Sequence, residues 1–322
     1  MKMLKLAIAI FAVSYVARPV QAETTNCINI TSVPRTITAA GVYCLKQDLN
    51  TAITSGNAIT INANNVTIDF NEFRLGDLAA GPTTAAVGVF ASNRKNITIR
   101  NATIRGFRIG IQIAEVDSSG HVIEDNLVDG STFTGISTSG NGIIVRRNRI
   151  VNTDATRPSS QTISQATMPA ANSDQRTAKT SGISNGVAPT AGNGGVSNGI
   201  RVDNLTNSQI VDNLVTTSIS PDTEAEGIFI RLANRVEVGR NTIFNVRAQS
   251  FASGIFAEQS QHLVIKDNVI GGGSSTTQAT SGTAFGIEIA LPSGPSMCLN
   301  NTVSGFASGA VTGCTSTAGT FP

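Results

Sequence analysis

Arg201, Phe229, Phe256 and Glu288 stand 28, 27 and 32 residues apart, and Asp203, Arg231 and Glu258 each follow two places behind one of the first three. All belong to one frame, Gly-apolar-x-apolar-x, read at Gly199, Gly227, Gly254 and Gly286. In an extended strand the two apolar places share one face and the two x places share the other, so these side chains line a common outer surface. A guanidinium from Arg201 or Arg231 neutralises a uronate carboxylate, the rings of Phe229 and Phe256 stack on sugar faces, and Asp203, Glu258 or Glu288 serves as acid or base. The same residues support a plainer reading. Asp203, Arg231 and Glu258 alternate in sign one strand apart, as a surface salt-bridge ladder on adjacent strands requires.

The frame is one half of a longer repeat. Val236–Ile243 reads apolar-x-apolar-x-x-Asn-x-apolar and returns after 27 residues at Leu263–Ile270. The same unit occurs around Asn71, Asn126, Asn148, Asn213 and Asn301, and at Ile97–Ile104 with Ala102 in the Asn place. From each frame glycine to the next Asn place runs a nearly fixed 13 to 16 residues; from the Asn place to the next glycine the distance varies from 8 to 51. All length variation therefore sits in one turn of each period. Alternation over three to five residues, without an i, i+3, i+4 pattern, argues for strands. A period far too long for hairpins argues for a solenoid of parallel strands, each coil stacked about 4.8 Å from the last. The expected class is all-β, a solenoid of about eight parallel-strand coils with an N-terminal cap, and the family resemblance given below implies that it is a right-handed parallel β-helix. The recurring Asn is expected at a bend, where it tolerates the left-handed conformation and its amide bonds to the coils above and below.

The remaining features bound the setting. Lys2 and Lys5, an apolar run from Leu6 to Val16 and Val20-Gln21-Ala22 read as a signal peptide over 1–22. Without it, 23 basic residues fall to 20 against 21 acidic, a net charge of about −1. Charge then suggests no nucleic-acid partner, and no apolar run is long enough for a membrane span. Two local cysteine pairs, Cys27 with Cys44 and Cys298 with Cys314, fit disulfides of a secreted or periplasmic protein; their spacing gathers no metal ligands, and no cofactor is expected. Residues 23–56 fall outside the repeat and are expected to cap it. The β-helix domain is expected over 57–314, with a long variable turn at about 152–198 rich in small and polar residues, and a tail over 315–322.

On these repeats the chain resembles the right-handed parallel β-helix repeat-containing proteins of the pectate-lyase-like superfamily, over about residues 57–314. The resemblance implies that the Gly-apolar-x-apolar strands are the first sheet, and that an enzyme of this kind works on polysaccharide at the outer face of that sheet. The chain departs from the enzyme families: it has Asn152-Thr153-Asp154 but no Asp-Asp pair and no Gly-His-Gly, no Asp-x-Asp on the strands for calcium, and no Asp-Pro-His motif. His121 and His262 begin second-sheet strands, where a structural role is expected. The functional expectation is polysaccharide binding or modification (acidic glycan, lyase or hydrolase type) through the Arg201–Glu288 face. The alternative is a non-catalytic structural or protein-binding rod.

Overall fold

The computed structural model describes residues 24–115, 117–154, 196–220, 224–248, 250–272, 274–275, 282–290 and 293–319. The expected signal peptide and most of the long turn at 152–198 lie outside them. Strands return in threes, and every pairing between coils is parallel. A right-handed parallel β-helix is the architecture that these ladders make. The first-sheet ladder passes through Val87–Ser92, Ile109–Ala114, Thr134–Asn141, the start of Ser197–Val211, Glu224–Arg231, Phe251–Glu258 and Thr283–Ala290. The third-sheet ladder runs unbroken from Leu49–Asn50 to Thr302–Ser304. Within the segment expected as a cap, Arg35–Ile37, Gly41–Cys44 and Leu49–Asn50 pair in parallel with Asn57–Ile61, Val66–Asp69 and Arg74–Gly76. Cys27 bonds to Cys44 and Cys298 to Cys314, one disulfide near each end of the stack. Among the described residues no helix is long and apolar enough to cross a membrane.

The core is a set of columns. Ile136, Ile200, Ile228, Ile255 and Ile287 come from the first sheet, Val145, Ile210, Val238 and Ile265 from the second, and Ile150, Val215, Ile243 and Ile270 from the third. Branched aliphatic side chains fill this narrow interior, so few aromatics are needed.

The Asn ladder forms at the expected residues from Asn126 to Asn301, with the left-handed backbone one place earlier than expected. Asn126, Asn148, Asn213, Asn241, Asn268 and Asn301 stack side by side, all buried. The backbone N–H and Nδ2 of Asn213 both donate to Oδ1 of Asn241 at 3.0 Å, Asn241 repeats this on Asn268, and Asn268 on Asn301. The left-handed residue is not the ladder Asn but its predecessor: Asp125, Arg147, Asp212, Arg240, Asp267 and Asn300 all have φ between 52° and 59°. The predecessor makes the bend, leaving the Asn with both donors aimed along the stack. Asn71 lies outside the ladder. It has φ 48°, its Oδ1 accepts from the N–H of Thr24, and two extra residues in its turn bring Leu75 rather than Phe73 opposite Ile104.

Candidate functional site

Each first-sheet strand bends at its frame glycine. Ala252 and Ile255 both point into the core three residues apart, as do Ala225 with Ile228 and Ala284 with Ile287, where an even pleat would bring core residues two apart. At the bend the backbone presses on the third sheet: a Cβ on Gly254 would strike Ile270 and stand 2.6 Å from the carbonyl oxygen of Gly286, and Gly227 meets Ile243 and Gly254 in the same way. Only glycine fits so close an approach. The outer face is therefore an angle between a short arm before the glycine and a long arm after it.

The long arm carries the expected residues in the expected columns. Gln112, Ser137, Arg201, Phe229, Phe256 and Glu288 follow one another in register, and so do Asp203, Arg231, Glu258 and Ala290. Their engagements differ from a free glycan cleft. Asp203 accepts from Arg201 (2.8 and 3.2 Å) and from Arg231 (2.7 Å), and the Arg201 guanidinium also lies 4.4 Å over the Phe229 ring. Arg201 is 7% exposed and Phe229 8%. Both arginines are thus committed to Asp203, and Phe229 shows almost no face to solvent. The salt-bridge reading holds for Arg201, Asp203 and Arg231, and it stops there: Glu258 and Glu288 have no cation partner among the described residues. Burial raises the Glu288 carboxyl above its usual value, and its buried Oε2 has no hydrogen bond among the described residues.

The short arm supplies residues that were not among the sequence candidates. The place just before each glycine forms a column of its own: Val87, Ile109, Thr134, Asn198, Glu226, Ser253 and Phe285. Its first two members pack with Phe133, Val196 and Phe90 in an apolar cluster separate from the main core, which places this column on the outer side. Thr134, Asn198, Glu226 and Ser253 then turn it polar while still buried. Glu226 is 1% exposed; burial, then the neighbouring Glu224, push its carboxyl well above the usual range, against the pull of Arg201. Among the described residues its Oε2, both amide atoms of Asn198 and Oγ1 of Thr134 have no hydrogen-bond partner. Two places before Glu226, half-buried Glu224 is raised by burial and then by Glu258 on the long arm of the next coil. Phe251, in register with Glu224, sets its ring edge-on against Phe256 at 5.1 Å, and Phe256 lies 5.7 Å from Phe229. Aligning the residues before the frame glycines would have exposed this column in the sequence, where apolar Val87 and Ile109 give way to Asn198 and Glu226.

The two histidines lie on the second sheet, away from the first-sheet face. His121 occupies a core place with no exposure, and its Nδ1 accepts the N–H of Ile97 at 3.1 Å; burial lowers its pKa to about 4. His262 Nδ1 lies 3.0 Å from Oδ1 of Asn234. A concavity of about 680 Å³ lies over the second sheet, between Ile144, Gln209 and Lys266, away from the bend. Lys266 there pairs with Glu237 at 3.2 Å, and the place lacks the unpaired acids of the first-sheet face.

No protein-family model matches the chain, and no curated protein matches it. Among solved structures it is similar to DFA-IIIase from Arthrobacter chlorophenolicus A6 in complex with DFA-III, at 9% identity and a TM-score of 0.46 over 83% of this chain and 61% of that one. It is also similar to the enzymatically active domain of tailspike protein 2 from bacteriophage CBA120 (10%, 0.46, 82% and 43%) and to the Dettilon tailspike protein (14%, 0.46, 91% and 57%). The chain spans less than two thirds of the length of each.

Proposed function

We propose that this chain is an exported polysaccharide-binding β-helix whose ligand lies along the angle of the first sheet, and that the ligand is an uncharged glycan. The observation that carries the reading is the pairing of Phe251 and Phe256 across the bend, beside Glu224, Glu258 and Glu288, which have no cation partner among the described residues. An aromatic wall beside hydrogen-bonding carboxyls suits a sugar ring, which offers an apolar face and a rim of hydroxyls. The acidic glycan expected from Arg201 and Arg231 is disfavoured here, because both guanidinium groups already hold Asp203 and the remaining charges are negative. The two disulfides and the signal peptide expected over 1–22 support a secreted or periplasmic location.

Binding of the chain to immobilised neutral polysaccharides and to polygalacturonate, beside a Phe256→Ala variant, tests this. Retention on a neutral glycan that the variant loses supports the reading, and preference for polygalacturonate counts against it. The bridging of Arg201 and Arg231 by Asp203 favours a second reading, a non-catalytic structural or protein-binding rod. That reading expects no retention on any glycan.

A further inference from the structure

The concavity over the second sheet differs in charge from the first-sheet trough. The chain enters that sheet at a corner where one residue per coil takes left-handed backbone: Asn65, Asn96, Gly120, Gly142, Asn207, Arg235 and His262, all with φ between 46° and 66°. Asparagine and glycine are the residues this backbone favours. Asn96 donates its amide to Asn65 at 2.8 Å, and Asn207 to Asn141 at 2.9 Å. Two neighbouring coils depart from the rule with Arg235 and His262, both exposed and both lining the concavity of about 680 Å³. Arg235 has no ion pair among the described residues, whereas Arg147 and Arg240, the left-handed arginines at the next corner, hold Asp125 and Asp212. His262 Nδ1 lies 3.0 Å from the Asn234 side-chain oxygen, an acceptor, so Nδ1 carries a proton and Nε2 is left for another partner.

Beyond the corner the lining changes. Gln209, Glu237 and Val264 stand in register across three coils, and Lys266 closes the far side. Glu237 Oε1 is shared by Lys266 at 3.2 Å and Arg240 at 3.7 Å. A Cβ on Gly239 would stand 3.2 Å from that oxygen and 3.6 Å from Lys266 Cγ, so glycine leaves room for the pair to lie across the sheet. Glu237 is the single acid among the described lining residues, and Lys266 answers its charge, which leaves Arg235 in excess. The four residues from His262 to Lys266 span about 13 Å in an extended strand. One anionic group held at the corner therefore does not reach Lys266, and a ligand that fills the concavity needs an uncharged polar body beyond its anionic end.

We propose that this concavity binds a phosphorylated sugar, with the phosphate at the corner between Arg235 and His262 and the ring lying on Val264, its hydroxyls bonded to Gln209 and Glu237. Adjacent coils stack about 4.8 Å apart, so the two corner side chains can meet one phosphate from neighbouring rungs. A guanidinium matches phosphate oxygens with paired N–H groups. A phosphate monoester offers three terminal oxygens, enough for both side chains at once, and this favours it over a carboxylate. A carboxamide and a carboxylate beside a half-buried aliphatic side chain suit the hydroxyl rim and apolar face of a sugar. The site is independent of the glycan reading, which concerns another face.

Titration calorimetry of the chain at low salt with glucose 6-phosphate, mannose 6-phosphate and ribose 5-phosphate tests this, beside inorganic phosphate, glucose and galacturonate. At least one sugar phosphate should bind at least tenfold tighter than each of the last three. Arg235→Asn and His262→Asn put into the corner the residue that stands there at Asn207, so the fold is kept, and each should weaken that binding at least tenfold. Gln209→Ala should weaken the sugar phosphate and leave inorganic phosphate unchanged. Arg149→Ala, which removes an exposed arginine of the third sheet, should alter nothing. Absence of binding by all three sugar phosphates, equal affinity for inorganic phosphate or galacturonate, or unchanged affinity in both corner variants would overturn the inference. Retention of Arg235→Asn on neutral polysaccharide, measured in parallel, reports on the first-sheet reading separately and should equal that of the wild type.

Discussion

Phe251 and Phe256 touch at 5.1 Å between ring centroids although five residues separate them in one strand. In a straight strand their Cα atoms would be about 16 Å apart, beyond the reach of two phenylalanine side chains. The contact exists because the strand folds at Gly254, and the fold turns a flat sheet face into a trough. Phe256→Ala removes the ring that joins both arms. It should weaken binding of a neutral glycan at least tenfold, about 1.4 kcal/mol, while the circular dichroism spectrum stays that of the wild type. Unchanged affinity in an affinity gel would place the ligand elsewhere.

Asp203 sets the charge of the same trough by holding two guanidinium groups, one of them nearly buried. Asp203→Asn leaves the Arg201 and Arg231 charges uncompensated and should lower stability by about 1–3 kcal/mol in urea unfolding. It should also give the face a new affinity for polygalacturonate, measurable by titration calorimetry at low salt. A variant as stable as the wild type, with no gain of anion binding, would mean that the three charges do not depend on one another.

The long-arm columns were legible in the sequence because a strand's faces follow from a two-residue period, and the frame glycines fixed the register; Arg201, Phe229, Phe256 and Glu288 could be aligned without coordinates. What the period hid was its own interruption. An evenly alternating strand would not put Ser253 and Phe256 on one side, so the column holding Glu226 went unnoticed, and with it Glu224. The Asn ladder shows the same limit: the spacing located Asn241, but left-handed geometry falls on Arg240, and the Asn241 side chain is left to stack on its neighbours. Likewise the sequence showed that Arg201 and Asp203 are neighbours, while their mutual bond and the burial of Phe229 depend on packing across coils.

The ladder itself can be broken at one rung. Asn241 Oδ1 accepts the N–H and Nδ2 of Asn213, while its own Nδ2 donates to Asn268 and to the carbonyl of Ile210. Asn241→Ala strands at least two buried donors on Asn213, and should cost about 3 kcal/mol by the desolvation of unmet polar groups. Asn241→Asp keeps the acceptor and loses the amide donors, so it should be destabilising too. Equal denaturant midpoints for wild type and the Ala variant would show that the ladder contributes nothing net.

Buried His121 and Asp77 give the fold opposite responses to pH. The His121 ring is held neutral, since its Nδ1 must accept from Ile97, and its pKa is lowered by burial to about 4. Between about 4 and 6.5 the unfolded chain therefore binds the proton that the native chain refuses, and stability rises with pH across that window. Asp77 runs the other way. Burial raises its carboxyl to about 6, despite hydrogen bonds from the N–H of Ile53 and the hydroxyl of Thr84, so the native chain holds a proton that the unfolded chain loses, and stability falls as pH climbs from about 4 to 6. The effects overlap and partly cancel in the wild type, so single variants must separate them. Relative to His121→Asn, the wild type should gain about 3 kcal/mol from pH 4 to 6.5, because each pH unit across that window is worth about 1.4 kcal/mol. Asp77→Asn, which keeps an oxygen for the Ile53 N–H, should gain on the wild type over pH 4 to 6. Urea midpoints at half-unit steps would show these as diverging curves, and parallel curves would mean that neither group carries the proton linkage.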